Sequence, residues 1–233
     1  YISLDGNSLN NTSDQQGIYF TRCNNITVKD CSIRNCSYQA LKMYSINGGL
    51  ITNVTARNSL RGIEIVSNST DIIINSNLLT KNDLAGILIE NCSSLSITDN
   101  IIKKNNGNGV VLEISPEAKI KGNAVFLNYY HGISMYDDCN DCIISNNNIN
   151  SNSQASNDTY DNINIDTDCD RNNIHSNVCR KGDKTNKTQY GIYILTSDCD
   201  DNFVTNNDIL NGGVSGGFYD NGTNTDTAPG NRT

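Results

Sequence analysis

Carboxylates recur in this sequence at about one fixed interval. Glu90 and Glu113 are 23 residues apart, Tyr136 follows after another 23, and Asp166 after a further 30. If equivalent positions stack, these four side chains form one line, and Glu64 and Tyr193 lie two positions earlier on the same strand in other turns. A sugar lyase or epimerase needs a base for the C5 proton and a group that neutralises the uronate carboxylate. A glycoside hydrolase needs two carboxylates flanking the scissile bond. Stacked Glu90 and Glu113 would sit about 5 Å apart at the backbone, so that one carboxyl rises in pKa by like-charge repulsion. A plain solvated face is the competing reading. His131, beside Tyr129 and Tyr130, is either a further base or a surface corner residue.

A second acidic set comprises Asp138, Asp168 and Asp198, each immediately before a cysteine, with Asp141, Asp170, Asp200 and Asp201 just beyond. Stacked carboxylates repel unless they point apart into water or a hard cation offsets them. Oxygen ligands of this kind suit Ca²⁺, and Asp138, Asp168, Asp198, Asp170 and Asp201 are the expected ligands. Each Asp also serves as a local turn former.

The element that must position these residues is a repeat. A glycine followed by alternating apolar residues recurs as QGIYF, QALKM, RGIEI, AGILI, NGVVL, HGISM, DNINI, YGIYI and SGGFY. The glycine-equivalent positions are Gly17, Ala40, Gly62, Gly86, Gly109, Gly132, Asn162, Gly191 and Gly216, separated by 22 to 30 residues. One unit of this size cannot bury its own apolar face, so units must stack. In the unit starting at Gly86, Ile87 and Ile89 face inward and Leu88 and Glu90 outward. Leu95 and Ile97 mark a second strand and Ile102 a third. Three short strands per turn of about 23 residues describe an all-β, right-handed, single-stranded parallel β-helix of about nine turns. It should occupy residues 1–220, with 221–233 as a tail or cap.

Three ladders fix the expected register. One runs through Asn53, Asn77, Asn100, Asn123, Asn147, Asn177 and Asn207, with Cys31 at its start. The next runs through Cys36, Asn58, Asn82, Asn105, Asn128 and Asn152 to Gly182 and Gly212. The third holds only Cys or Ser: Cys23, Ser45, Ser69, Cys92, Ser115, Cys139, Cys169 and Cys199. Most of the nine cysteines thereby read as small inner-corner or core residues. Stacked pairs such as Cys139 and Cys169, or Cys31 and Cys36 across a corner, also have spacings open to a disulfide. CNDC is a lone CxxC and weak evidence for zinc.

Composition narrows the partners. The net charge of −8 disfavours nucleic acid, and no apolar run is long enough to span a membrane. No signal peptide stands at Tyr1, so the chain reads as a mature or trimmed export product. Asparagine occurs 40 times, and eleven positions match Asn-x-Ser/Thr; Asn68, Asn91, Asn157, Asn186 and Asn221 are the glycosylation candidates. Chance in an Asn-rich chain produces the same motif. The two longest loops, residues 151–161 and 180–189, leave at the same corner in adjacent turns, and the second carries Lys184 and Lys187. Extra loop length in a solenoid gathers on one face, often the binding face.

The pattern Gly-Ile-x-Ile, small corner residue, Ile-x-x-Asn, Ile-x-x-Asn resembles the parallel β-helix repeats of the pectin-lyase-like superfamily, of the carbohydrate-binding and sugar-hydrolase type. The resemblance covers roughly residues 1 to 225. It implies a protein outside the cytoplasm that binds, cleaves, epimerises or displays polysaccharide. It also implies a saccharide groove on the outer first-strand face, with Glu64, Tyr136 and Tyr193 as sugar contacts, while Lys184 and Lys187 of the second loop are placed to contact an anionic polymer or the acidic corner of another subunit. The Asp-Pro-His-Glu motif of mannuronan C-5-epimerases is absent, as is a pectate-lyase-like pairing of calcium-binding acids with a catalytic Arg. The expectation is an extracellular or cell-surface β-helix that displays or binds carbohydrate and self-associates. The alternatives are a polysaccharide lyase, epimerase or hydrolase, with Glu90, Glu113, Asp166 and His131 as catalytic candidates, and a viral tail-spike module.

Overall fold

A computed structural model of the protein describes residues 2–6, 15–227 and 230–233. Among these residues there is no α-helix; the chain winds as a parallel β-helix. No helix is long and apolar enough to cross a membrane. One strand of each turn joins a nine-stranded parallel sheet, which includes Arg61–Val66, Ile87–Glu90, Val110–Glu113, Ile133–Tyr136 and Tyr190–Ile194. The second and third strands of each turn form two rows of a fourteen-stranded sheet. Alternation does what the sequence requires. Ile87, Ile89, Leu112, Ile133, Met135, Ile163 and Ile165 point inward and are fully buried, as are Ile97 and Ile102 from the other two rows.

Both Asn ladders form. In the first, the Oδ1 of each Asn accepts from the backbone N–H and the Nδ2 of its predecessor, at 2.9–3.0 Å for Asn77, Asn100 and Asn123. The run extends past Asn207 to Asn231. The register differs from expectation in more than one turn: in the last, Tyr190 pairs with Gly216, so Gly217 and not Gly216 stands opposite Gly191, and a second difference lies near the start. Val54, Ser59 and Ile46 occupy the ladder slots, not Asn53, Asn58 and Ser45. Those three residues stand one place earlier, at φ of 52°, 52° and 56°. Asn suits both neighbouring slots, the corner because it tolerates left-handed backbone and the ladder because of its amide. The third ladder therefore admits Ile46 and is not confined to Cys and Ser. A further short ladder, Asn172 and Asn202, precedes the second strand, where earlier turns carry Leu95, Ala118 and Cys142.

At four first strands the position is glycine because the second Asn ladder lies against it. A Cβ on Gly86 would come within 2.6 Å of Ile102, 2.8 Å of the Gly109 oxygen and 2.9 Å of Asn105 Nδ2. Gly62, Gly109 and Gly132 face Asn82, Asn128 and Asn152 in the same way. In the turn where Gly182 takes the left-handed corner against Ser151, the strand position grows to Asn162. Its amide accepts from Asn152 and donates to the carbonyls of Arg180 and Gly212.

All nine cysteines are free thiols, and eight are buried. Residues 221–227 and 230–233 follow the path of the preceding turn: Asp201 and Val204 donate to the carbonyls of Thr223 and Asp226, and Ile209 to that of Arg232.

Candidate functional site

The outward side chains of the nine-stranded sheet form three parallel lines. The central line carries Lys42, Glu64, Leu88, Val111, Ser134, Asn164, Tyr193 and Tyr219. Glu90, Glu113 and Tyr136 stack beside it, and Tyr136 precedes Asp166 in the next turn. Arg61, Ala85, Asn108, His131, Asp161 and Tyr190 flank the opposite side. Strand pairing is what converts an interval of one repeat into a neighbouring position on this face.

Glu64 is not available to a sugar. It is 4% exposed, and its oxygens accept from Gln39 at 2.7 Å, Arg61 at 2.9 Å and Lys42 at 2.7 Å. A carboxylate can be buried here because three donors replace its water.

Next to it lies a groove of about 250 Å³. Its floor is apolar: Ala85, Leu88 and Val111 cluster with the ring of Tyr136. Arg61 and Asn108 line it from one side and Glu90, Glu113 and Tyr136 from the other, with Tyr130 also present. Thus Glu90 and Glu113 are brought together as expected. The Tyr136 hydroxyl donates to Glu113 at 2.8 Å. Burial, then that hydrogen bond and the nearby carboxylates, hold the phenol above its ordinary pKa, so it serves as a proton donor and not as a phenolate base. Glu90 is exposed, with no side-chain partner among the described residues. A free carboxylate, a protonated phenol and a guanidinium around an apolar floor can bind a sugar ring and its hydroxyls, or move a proton on it.

Asp166 and His131 do not line this groove. Asp166 accepts from Thr167 Oγ1. His131 Nδ1 accepts from the Asp161 backbone N–H at 2.9 Å, and its ring meets Tyr160 edge-on at 5.2 Å. The Asp161 carboxylate approaches the same Nδ1 atom at 3.4 Å. These contacts hold the His131 ring at the corner before Gly132.

Beyond the groove, Tyr193 joins Tyr190 and Tyr219, neither of them anticipated, with ring centroids 5.1–5.3 Å apart. Tyr219 comes from the last strand, Gly216–Asp220. The two long loops pack on one another, with Asn186 Nδ2 donating to the Gln154 carbonyl and Gln154 Nε2 to that of Asn186. The backbone of Lys187 bonds Asn157, whereas Lys184 lines a different hollow at a corner of the coil.

Asp138, Asp168 and Asp198 stack, and repulsion from Asp198 and then Asp138 raises the exposed Asp168 carboxyl. Yet among the described residues no three His, Cys, Asp or Glu side chains converge to hold a metal. Asp170 instead accepts from the Asp200 backbone, Asp141 forms a bidentate pair with Arg171 at 2.9 Å, and Asp201 sits exposed in a left-handed turn. Of the sequon residues, Asn68, Asn91, Asn157 and Asn221 are exposed, Asn186 is half-buried and engaged as above, and Asn10 and Asn11 lie outside the described residues.

Residues 1–149 match the family described as the right handed beta helix region. No curated protein matches the sequence. Among solved structures, the mannuronan C-5 epimerase AlgE6 A-module of Azotobacter vinelandii superposes with a TM-score of 0.73 at 16% identity, covering 97% of this chain and 72% of that one. A double mutant of the periplasmic alginate epimerase AlgG gives 0.71 at 15%, over 86% of this chain and 49% of its own. The Dettilon tailspike protein gives 0.72 at 15%, over 93% and 46%. At such identities the likeness is one of fold.

Proposed function

The chain belongs to the right-handed β-helix family, and we propose that it is an exported surface protein that binds polysaccharide along the outer face of its nine-stranded sheet. The observation that carries this reading is the continuity of that face. An apolar-floored groove rimmed by carboxylates and a tyrosine gives way, a few turns on, to the three-tyrosine platform. Aromatic faces with polar rims suit sugar rings, whose C–H faces are apolar and whose edges are hydroxylated. Alginate epimerases and a phage tailspike share the fold, which supports a glycan partner and a site of action outside the cytoplasm. Self-association belongs to the same reading.

A second reading is favoured by one feature. The unpartnered Glu90 stands over the groove with the protonated Tyr136 beside it and Arg61 opposite. That set suits proton abstraction from a uronate followed by reprotonation or elimination, as in an epimerase or lyase.

The test is calorimetric titration with oligosaccharides of neutral and uronic sugars, on the parent, Tyr193→Ala and Glu90→Gln. Binding weakened about tenfold by Tyr193→Ala, a loss of ~1.4 kcal/mol, is the expected result. Absence of binding to any glycan across a broad array would overturn it. Turnover of a uronic polymer that Glu90→Gln abolishes would establish the second reading.

A further inference from the structure

A separate hollow of about 410 Å³ lies at the corner that follows the third strand of each turn. Lys81, Lys104 and Lys184 line it, with Leu127, Tyr129 and Gln154. No carboxylate among the described residues lines it, although the chain carries a net charge of −8. All three lysines are exposed, and none forms an ion pair.

The backbone makes this arrangement unusual. Lys81, Lys104 and Leu127 occupy successive left-handed corners at φ of 57°, 56° and 60°, where the preceding turns carry Asn35 and Asn58. Left-handed backbone costs a non-glycine residue roughly 1 kcal/mol, least for Asn. Two of the corners that Asn fits best thus hold lysines about 4.8 Å apart at the backbone, which repel one another. Lys184 reaches the same hollow from the second long loop, residues 180–189, which the reciprocal Asn186–Gln154 bonds anchor. Tyr129, 45% exposed, supplies an open ring to the same hollow.

We propose that this hollow is a second binding site, one that takes the charged group of an anionic sugar unit, a carboxylate or a sulfate ester. Its ring lies against Tyr129 and its charge among the three lysines. The inference rests on the polysaccharide reading but concerns a different corner of the coil, so the two fail separately.

The experiment is titration of the full chain with an oligogalacturonate hexamer, a heparin-derived hexasaccharide and cellohexaose, at low and high salt. The parent, Lys81→Gln/Lys104→Gln, Lys184→Gln and Tyr193→Ala are compared, each checked for parental circular dichroism. The expected result is salt-sensitive binding of at least one charged hexasaccharide, weakened tenfold or more by the double lysine variant. Comparing the two charged probes distinguishes carboxylate from sulfate. Charged-oligosaccharide binding that the lysine variants leave unchanged overturns this site while leaving the sheet face intact. Failure of the parent to bind either charged probe overturns it too, and failure with all three probes counts against both readings. Binding of a single-stranded oligonucleotide at equal strength, with the same lysine dependence, overturns the saccharide assignment.

Discussion

At the scale of the residue, the buried Asn side chains carry more than packing. Asn123 Oδ1 accepts from the N–H and the Nδ2 of Asn100, while its own Nδ2 donates to the Ile97 carbonyl at 2.9 Å and to Asn147 at 3.0 Å. Truncation would strand several groups in a site without water, at about 1–3 kcal/mol for each group left unpaired. Asn123→Ala is therefore expected to lower stability by at least ~3 kcal/mol, measured as the shift in urea midpoint at constant m-value. A loss below 1 kcal/mol would mean that the ladder is ornamental. The existence of these ladders was legible in the sequence, but their register in the second turn was not. Asn53 and Asn58 satisfy a backbone need and the ladder an amide need in adjacent positions, so the letter alone does not say which it serves.

At the scale of the element, each first strand and the corner before the next share one volume. Gly86 stands against Asn105 and Gly132 against Asn152, whereas Asn162 replaces glycine and its own amide meets Asn152. Gly86→Ala forces a Cβ into backbone and amide contacts under 3.0 Å, and overpacking of this kind costs about 1–3 kcal/mol. Asn162→Gly should destabilise by a similar amount for the opposite reason, removing the bonds of Asn162 to Asn152, Arg180 and Gly212 and leaving a void, while Thr188 Oγ1 still serves the Gly212 carbonyl and the Val125 carbonyl the Asn152 amide. Thermal unfolding of the two variants checks both. The same reciprocity explains what could be read of the candidate site. Period alone placed Glu90, Glu113 and Tyr136 on one line, because strand pairing fixes that line. It could not show that Glu64 is buried beneath Arg61 and Lys42, that His131 is held by the Asp161 backbone, or that Leu88 and Val111 floor a groove. Those depend on side-chain direction. The signal available was apolar residues at outward positions, where a solvated face calls for polar ones.

At the scale of the whole molecule, a narrow stack lacks a thick centre, and free thiols fill part of its interior. Burial pushes Cys92 up to about 11 and both Cys142 and Cys179 up to about 12. Cys169 also rises, through its hydrogen bond to Cys139 and burial. Thiols react as thiolates, so the native chain should expose one slowly reacting cysteine, the half-buried Cys23, and release the other eight only as it unfolds. The sign of the pH effect follows from the same shifts. A group whose folded pKa is raised stabilises the fold fully below its unfolded value and loses that contribution as pH rises toward the folded value. For Cys142 and Cys179 the window runs from about 8.5, the ordinary thiol value, to about 12. The urea midpoint should therefore hold from pH 7 to 8 and fall steadily between pH 9 and 11. A Cys142→Ala/Cys179→Ala variant, though less stable at pH 7, should lose less over that interval, because it has fewer buried thiols to ionise on unfolding. Parallel slopes for parent and variant would assign the alkaline loss to tyrosines and lysines instead, and would remove the thiols from the account of what holds the stack together.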